Sequence, residues 1–326
     1  MNKSDSERIA SDLEKKGYKL TAKPENADLI VVNMCSVRQS AVDRIYGKIK
    51  ELKKIKDKSP KLKLALAGCV LKKDFKKLKE HFDTLLENKN YQKIIPPCKN
   101  KMRALIPISF GCNNYCTYCA VPYTRGNLVC RSHKEIMKES KVAAKNGVKE
   151  IWLLGQNVND YQSPTDKKIK FPELLKMAST IPGKFLVYFM SPNPKDFSDK
   201  LIDAMIDKKI ARCLNLPLQS GDNKILRKMN RPYTFLQYKN LVKKIREKIP
   251  DINLSTDIIV GFPGETKKQF ENTKKLLKNI KFDLAYVSKY SPRPGTIASK
   301  LKDDISIEEK KRRWKILNKL INEKQR

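Results

Sequence analysis

The last two thirds of the chain repeat one pattern: from Ala104 onward, a strand-like segment is followed by a helical segment six times. Alternating strands and helices predict a parallel sheet covered by its connecting helices. Because six units cannot close an eight-stranded barrel, we expect an open, partial (β/α)6 barrel. The predicted strands are Ala104–Phe110, Glu150–Leu154, Lys184–Met190, Cys213–Leu218, Asn253–Val260 and Leu284–Tyr290.

The first hundred residues carry a smaller version of this pattern. Two apolar runs, Asp28–Met34 and Lys61–Gly68, each end next to a cysteine and are separated by a helical segment over Ser40–Lys56. Two strands joined by a helix predict a parallel sheet, whose ligands gather beyond the carboxyl ends of the strands. Cys35 and Cys69 occupy that position.

Charged and proline residues follow this region and indicate a domain boundary. The segment Asn88–Met102 contains many lysines together with Pro96, Pro97 and Cys98. We therefore expect an α/β protein with a small doubly wound parallel-sheet domain over residues 1–97, followed by the partial barrel over residues 98–326.

Three of the eight cysteines lie within eight residues, as Cys112, Cys116 and Cys119. The chain has no secretion signal and no apolar run of membrane-spanning length, so we expect a cytoplasmic protein that does not bind membranes. In a reducing compartment, crowded cysteines indicate metal or cluster binding rather than disulfides. Three thiolates can hold a 4Fe-4S cube with one iron left open. The alternative is a zinc site completed by Cys98 or Cys130, although zinc pairs normally use C-x2-C twice.

The formal net charge is +35, from 70 Lys and Arg against 35 Asp and Glu. A field of this sign attracts phosphate backbones and favours a nucleic acid as the partner. The alternative is a general lysine bias, which would leave solvated helix faces with no specific contact.

The C-x3-C-x2-C spacing after the first barrel strand closely resembles the radical S-adenosylmethionine superfamily. The resemblance implies that the open iron binds the methionine part of S-adenosylmethionine (SAM), which is cleaved to a 5′-deoxyadenosyl radical. Polar residues that follow the other barrel strands would contact SAM, although each could equally be a helix cap. These SAM-binding candidates are Gln156, Asn157, Gln219, Ser220 and Glu265.

Longer segments resemble the methylthiotransferase family, and its tRNA branch in particular. They are MNKSDSE, CSVRQSA, GCNNYCTYCAVPYTRG, LLGQNVNDY, LPLQSGDNKILRKMNRPYT, DIIVGFPGET and YSPRPGT. The resemblance implies an enzyme that adds a methylthio group to carbon 2 of an isopentenylated adenosine beside the tRNA anticodon. It implies an external electron donor and a second 4Fe-4S cluster on three N-terminal cysteines, and we expect a monomer.

The chain departs from this family at several positions. Cys35 and Cys69 match two of the three N-terminal cysteines, whereas the first would precede Met1, and the family's C-terminal TRAM domain has no counterpart. We expect either an internal start codon or incomplete gene model, or a degenerate second cluster site. Further differences lie at Cys130, Ser132, Asn193 and Asn215.

Two alternative functions remain, the first because the stretch GNLVCR at 126–131 resembles the ribosomal-protein branch of the family and the second because of the incomplete second cluster site. One is methylthiolation of a ribosomal-protein aspartate, and the other is a non-catalytic RNA-binding iron-sulfur protein. For the remaining candidate residues, we expect Cys213 to belong to the core and both histidines, His81 and His133, to lie at the surface. Cys98 and Cys130 could substitute for a missing cluster ligand.

Overall fold

The computed structural model describes residues 1–37, 39–86, 94–97 and 101–322. Cys98 and most of the segment Asn88–Met102 lie outside the described residues. The boundary expected after residue 97 therefore stays a prediction. No helix within the described residues is both long and apolar enough to span a bilayer.

The N-terminal region folds around a three-stranded parallel sheet with strand order β1-β2-β3. Val32 and Leu66 face one side of this sheet, in a core that also contains side chains of the two helices between the strands. Val31 and Ala67 face the other side and pack with Ile9 of the first helix. Helices therefore cover both faces, which confirms the doubly wound arrangement. The elements are α1 (Asn2–Lys15), β1 (Leu29–Cys35), α2 (Gln39–Lys58), β2 (Lys63–Cys69), α3 (Lys72–Leu78) and β3 (Thr84–Leu86).

Six parallel strands form the remainder of the fold in chain order. The first three pair with one another, as do the last three, and a parallel bridge between Val187 and Ile210 connects the two halves. No pairing of the first strand with the last occurs among the described residues, which agrees with an open barrel. The strands are β4 (Arg103–Pro107), β5 (Glu150–Leu154), β6 (Leu186–Phe189), β7 (Cys213–Asn215), β8 (Asn253–Val260) and β9 (Leu284–Lys289).

Helices follow these strands, and all except α4 pack side chains into the core that surrounds the sheet. They are α4 (Val121–Arg125), α5 (His133–Lys145), α6 (Phe171–Ser179), α7 (Asp199–Met205), α8 (Asn223–Lys228), α9 (Phe235–Lys248), α10 (Lys267–Ile280) and α11 (Ile307–Ile321). Two short antiparallel pairs lie between them. These pairs are Ser109–Phe110 with Val129–Cys130, and Gln162–Ser163 with Asp166–Lys170.

Three expectations about the strands need correction. The first barrel strand ends at Pro107, because Ser109 and Phe110 pair antiparallel with the segment that follows the cysteine loop. The fourth strand ends at Asn215, before Pro217, which has no N–H to donate to a ladder. The prediction of a core position for Cys213 is wrong: it is exposed while Leu214 is buried, because successive strand side chains point to opposite faces.

Buried polar contacts fix the N-terminal sheet region against the barrel. The Ser4 hydroxyl donates to the Leu105 carbonyl oxygen at 2.9 Å. The Arg293 guanidinium pairs with Asp74 of α3 at 2.9 Å and also donates to Gln39 at the start of α2. Because such contacts need matched partners in good geometry, they hold the two regions in one relative position.

Candidate active site

The cysteine loop, residues 111–120, leaves the carboxyl end of the first barrel strand and runs into α4. Its first residue must be glycine: Gly111 has φ +69°, and a Cβ atom there would lie 2.1 Å from the Asn127 carbonyl oxygen. The loop closes on itself through Cys119 N donating to Cys116 O at 2.9 Å and Cys112 N donating to Gly126 O at 3.2 Å. These bonds gather the three cysteines at the rim of the barrel.

Each of the three sulfurs accepts one hydrogen bond from the protein. Asn114 Nδ2 donates to Cys112 Sγ at 3.5 Å, and the Val121 backbone N–H donates to Cys119 Sγ at 3.5 Å. Arg231 Nη1 donates to Cys116 Sγ at 3.6 Å. Hydrogen bonds to cysteine sulfur stabilise thiolates and set the reduction potential of iron-sulfur clusters, so this set of donors fits a cluster.

The sulfurs also affect one another electrostatically. Burial, together with the charges of Cys116 and Cys112, raises the pKa of Cys119 to about 12. Burial likewise raises the pKa of Cys112, with a contribution from Cys116. Without a cation these two groups remain thiols, so a metal that binds here must displace their protons.

The arrangement is better suited to a cluster than to a single zinc ion. Among the described residues, no three His, Cys, Asp or Glu side chains converge on one metal position. In a 4Fe-4S cube each cysteine binds a different iron, so the ligands of a cluster lie farther apart than the ligands of a single metal ion. A zinc site would need four ligands around one point, and neither that convergence nor a second C-x2-C pair beside Cys116 and Cys119 is found in this part of the chain.

The turn that follows α8 also holds the cysteine loop in position. Thr117 donates through its backbone N–H to Met229 O at 3.1 Å and through its hydroxyl to Lys228 O at 2.8 Å. Asn230 Nδ2 donates to the carbonyl oxygens of Asn114 and Tyr115, both at 3.1 Å. The loop is therefore positioned by the protein itself.

The second cysteine pair lies at the carboxyl ends of β1 and β2, where the parallel register sets Cys35 opposite Cys69. The two thiols interact: the hydrogen bond with Cys35, followed by burial, raises the pKa of Cys69 well above its ordinary value. Arg125, the last residue of α4, donates from Nε to Cys69 Sγ at 2.8 Å. One five-residue helix thus contacts Cys119 at its start and Cys69 at its end.

Arg125 is also part of a buried polar cluster. Its Nη2 pairs with Asp5 at 2.5 Å and donates to Asn2 Oδ1 at 2.9 Å, and the Arg125 and Asp5 side chains are each 1% exposed. Two atoms of this cluster, Arg125 Nη1 and Asp5 Oδ1, are buried without a hydrogen-bond partner. Orphaned buried polar atoms are rare in proteins, and Nη1 of Arg125, an unpaired donor on a side chain that contacts Cys69, fits the sulfur of a second cluster as its acceptor.

Two of the five SAM-binding candidates remain available at the rim. Gln156 follows β5 and Gln219 follows β7, and both are partly exposed. Gln219 has φ +70°, while its backbone pairs with β8 through Gln219 N donating to Asp257 O at 2.8 Å. This pairing fixes its backbone while the side chain stays at the rim.

The other three candidates are engaged by the scaffold. Asn157 Oδ1 accepts from Asn159 N at 3.3 Å and from Asn193 N at 3.0 Å. Asn157 therefore caps the helical turn Val158–Asp160, whereas Ser220 is fully buried and accepts from the N–H of Asp222, the residue that caps α8, at 3.3 Å. Glu265, the third of these candidates, is likewise bonded to the scaffold.

Glu265 is 3% exposed. Its carboxylate accepts from Gly261 N at 2.7 Å and pairs with Arg313 of α11, also at 2.7 Å. Burial raises its pKa, whereas the bonds from Gly261 and Arg313 oppose that rise. The carboxylate thus anchors the C-terminal helix to the fifth barrel strand.

Sequence reasoning missed the basic and acidic residues around the cysteines. Neither Arg125 nor Arg231 was singled out, although each lies in a quoted motif, YTRG or NRPYT. Asn114 links the loop to the rim, because its Nδ2 also donates to Asp160 Oδ2 at 3.0 Å. Burial raises the pKa of the neighbouring Asp196, Lys195 lowers it, and Asp160 raises it. The signal available in the sequence was the arginine within each of these two motifs.

Comparison with known proteins gives the same fold. The family model described as "Radical SAM superfamily" matches residues 106–277, and "Uncharacterized protein family UPF0004" matches residues 1–86. The structure of the radical SAM methyltransferase TsrM from Kitasatospora setae superposes with a TM-score of 0.65 at 13% identity, over 90% of this chain and 73% of that one. Coproporphyrinogen III oxidase (HemN) from Escherichia coli superposes with a TM-score of 0.53 at 18% identity, over 71% and 54%. The fold is that of a radical SAM enzyme.

Curated relatives narrow the class to a family. The tRNA-2-methylthio-N(6)-dimethylallyladenosine synthase of Clostridium botulinum (strain Okra / Type B1) is 40% identical over 99% of this chain and 79% of its own length. The protein of the same name from Dehalococcoides mccartyi is 41% identical over 99% and 80%. The chain belongs to the radical SAM methylthiotransferase family. The cofactors of this family are a 4Fe-4S cluster and SAM, and its N-terminal domain is associated with a second cluster.

Proposed function

We propose that this enzyme transfers a methylthio group to carbon 2 of an isopentenylated adenosine next to the anticodon of tRNA. The observation that carries the proposal is α4, which contacts a cysteine of each set. Its five residues span only about 8 Å at 1.5 Å per residue. Radical formation and sulfur delivery must occur close to one substrate carbon. Because α4 contacts one cysteine of each set, it places the two sets near each other.

Cys112, Cys116 and Cys119 are the proposed ligands of the cluster that binds SAM. A cluster bound there would supply the electron that cleaves SAM into methionine and a 5′-deoxyadenosyl radical. The protein positions the loop through Thr117 and Asn230 and donates one hydrogen bond to each sulfur. Gln156 and Gln219 are the rim side chains proposed to contact SAM, with the electron taken from an external donor.

Cys35 and Cys69 are the proposed ligands of the second cluster. Their positions at neighbouring strand ends provide two thiols, and Arg125, itself paired with Asp5, donates a hydrogen bond to the Cys69 sulfur. Their substitution should leave 5′-deoxyadenosine formation intact while abolishing methylthio transfer. The third protein ligand is not assigned.

Two features support an RNA substrate. The chain carries a net charge of +35, and α2 presents several exposed lysines to solvent. Tyr115 lies within the cysteine loop and Tyr123 in α4, and their side chains are 43% and 42% exposed. Proteins recognise unpaired RNA bases by stacking them on such aromatic side chains, while lysines contact the phosphates. The exposed lysines of α2 are Lys48, Lys50, Lys53, Lys54 and Lys58.

The test uses the anaerobically reconstituted chain with SAM, dithionite and an anticodon stem-loop RNA. We expect 5′-deoxyadenosine together with a methylthio nucleoside on the isopentenylated RNA, and no methylthio product on the same RNA without the isopentenyl group. Both products should disappear when Cys112, Cys116 and Cys119 are replaced by alanine. Methylthiolation of ribosomal protein instead of RNA, or 5′-deoxyadenosine with no methylthio product, would contradict the proposal.

Binding of this RNA should depend steeply on salt concentration. Lysine contacts to phosphates release bound counterions, and six to ten such contacts cost about 10³-fold or more in affinity between 50 and 200 mM salt. Fluorescence anisotropy with a labelled stem-loop measures the slope of log Kd against log salt concentration. A flat profile would show that phosphate contacts do not drive binding.

Replacing Tyr123 with alanine should weaken RNA binding and raise KM. Base stacking on an aromatic ring contributes about 1–3 kcal/mol, and phenylalanine at the same position should retain it. Tyr18→Ala is the matched control, because Tyr18 is 44% exposed but lies away from the cysteines. Tyr18 follows the C-terminal end of α1, whereas Asn2, which contacts Cys69, begins that helix. Equal losses in Tyr123→Ala and Tyr18→Ala would show that Tyr123 makes no specific contact.

A further inference from the structure

Arg231 is a buried cation without a carboxylate partner. It lies just after α8 and is 6% exposed. Every other buried arginine within the described ranges forms an ion pair with an Asp or Glu, whereas no acidic side chain in those ranges pairs with Arg231. The paired arginines are Arg8 and Arg131 with Glu139, Arg125 with Asp5, Arg293 with Asp74, and Arg313 with Glu265.

The guanidinium of Arg231 points its donors at neutral oxygens and one sulfur. Nε donates to the Tyr233 hydroxyl oxygen at 2.9 Å and Nη2 donates to Pro217 O at 3.1 Å. Nη1 donates to Cys116 Sγ at 3.6 Å, and the group lies over the Tyr233 ring at 5.1 Å. Because arginine stays protonated in proteins, this positive charge must be compensated by something other than a carboxylate.

We propose that the charge compensating Arg231 is that of the cysteine-bound cluster at Cys116, and that Arg231 raises the reduction potential of this cluster. The inference rests on the proposed ligation by Cys112, Cys116 and Cys119. Three thiolates on an oxidised cube leave one net negative charge, and one electron from an external reductant adds a second. A fixed positive charge at Cys116 stabilises the more negative, reduced state more strongly, which favours electron uptake.

Arg231 is distinct from the other two donors to the cysteine sulfurs. Asn114 and the backbone of Val121 are neutral, so Arg231 is the charged donor in this set. Its position is set by the same turn that holds the loop, because the preceding Asn230 bonds to Asn114 and Tyr115. The Arg231 guanidinium is thus held in place before a cluster binds, so that its positive charge lies beside Cys116.

The test measures the potential of this one cluster in a background with Cys35→Ala and Cys69→Ala, by redox titration followed with electron paramagnetic resonance. Arg231→Met removes the charge and Arg231→Lys keeps it. Arg227→Met is the control, because Arg227 is exposed on α8, the helix that precedes Arg231. At a fixed potential, Arg231→Met should lower the ratio of reduced to oxidised cluster about tenfold, which is 59 mV for one electron. Arg231→Lys should change it less than about threefold and Arg227→Met not at all.

Iron content is measured first, so that every outcome is informative. Iron binding by Arg231→Lys but not by Arg231→Met supports charge compensation. Loss of iron from both variants, or a potential for Arg231→Met equal to that of Arg227→Met, overturns the inference. If the background protein keeps its iron when Cys112, Cys116 and Cys119 are replaced, the proposed ligation itself fails. An intact ligation with an unchanged potential would refute the role of Arg231 alone.

Discussion

Replacing Arg125 with methionine is expected to lower the free energy of unfolding of the cluster-free protein by about 3–5 kcal/mol, the usual cost of breaking a buried ion pair. The substitution leaves Asp5 as a buried carboxylate without its partner, since both side chains are only 1% exposed. It also removes the donor to Cys69 and one contact to Asn2. Urea unfolding followed by circular dichroism gives the change.

Two controls separate the ion pair from general packing. Adding Asp5→Asn to Arg125→Met removes the unpaired charge and should restore part of the lost stability. Lys48→Met breaks an ion pair with Glu51 in which the side chains are 64% and 63% exposed, and it should have no measurable effect. If Arg125→Met is as stable as Lys48→Met, Arg125 does not join α4 to the N-terminal sheet in the way described.

Replacing Gly111 with alanine is expected to displace the cysteine loop and abolish iron binding at Cys112. The new Cβ atom would lie 2.1 Å from Asn127 O and 2.4 Å from Gly126 O, and both of these are backbone atoms. Gly126 O is also the acceptor for the Cys112 N–H, so the backbone cannot move away without moving that cysteine. Overpacking costs about 1–3 kcal/mol, and a left-handed backbone costs a non-glycine residue about 1–2 kcal/mol more.

Gly126→Ala is the matched control for this prediction. Gly126 has φ +75°, so alanine there is strained as well, but nothing lies within 4 Å of its Cβ position. Iron per chain and 5′-deoxyadenosine formation should therefore fall much further in Gly111→Ala than in Gly126→Ala. Equal losses would mean that backbone strain alone, and not the contact with Asn127, determines the position of the loop.

Most of the fold could be predicted from the sequence because its strands are short buried runs with distinct boundaries. Glu150–Leu154 and Asn253–Val260 have the bounds expected from their apolar pattern. The errors arose where tertiary pairing overrides the local pattern. Ser109 and Phe110 form an antiparallel pair instead of continuing the parallel strand, and Cys213 lies on the exposed face of its strand. Periodicity shows that faces alternate, but not which face a given strand buries.

The candidate site could be predicted only in part, for a similar reason. Cysteine spacing is a local signal, so Cys112, Cys116 and Cys119 were found from the sequence. The hydrogen bonds that bring Arg231 to Cys116 and Arg125 to Cys69 join residues more than fifty positions apart. Asn157, Ser220 and Glu265 have the expected residue types at strand ends, but a polar side chain at such a position can also cap or anchor a helix.

The most direct test of the central claim is iron and sulfide per chain after anaerobic reconstitution, for the parent protein and for the variant with Cys112, Cys116 and Cys119 all replaced by alanine. We expect the variant to bind about four irons fewer than the parent, the content of one 4Fe-4S cluster, and to form no 5′-deoxyadenosine. Equal iron in both proteins, or 5′-deoxyadenosine from the triple variant, would show that these cysteines do not hold the cluster that binds SAM.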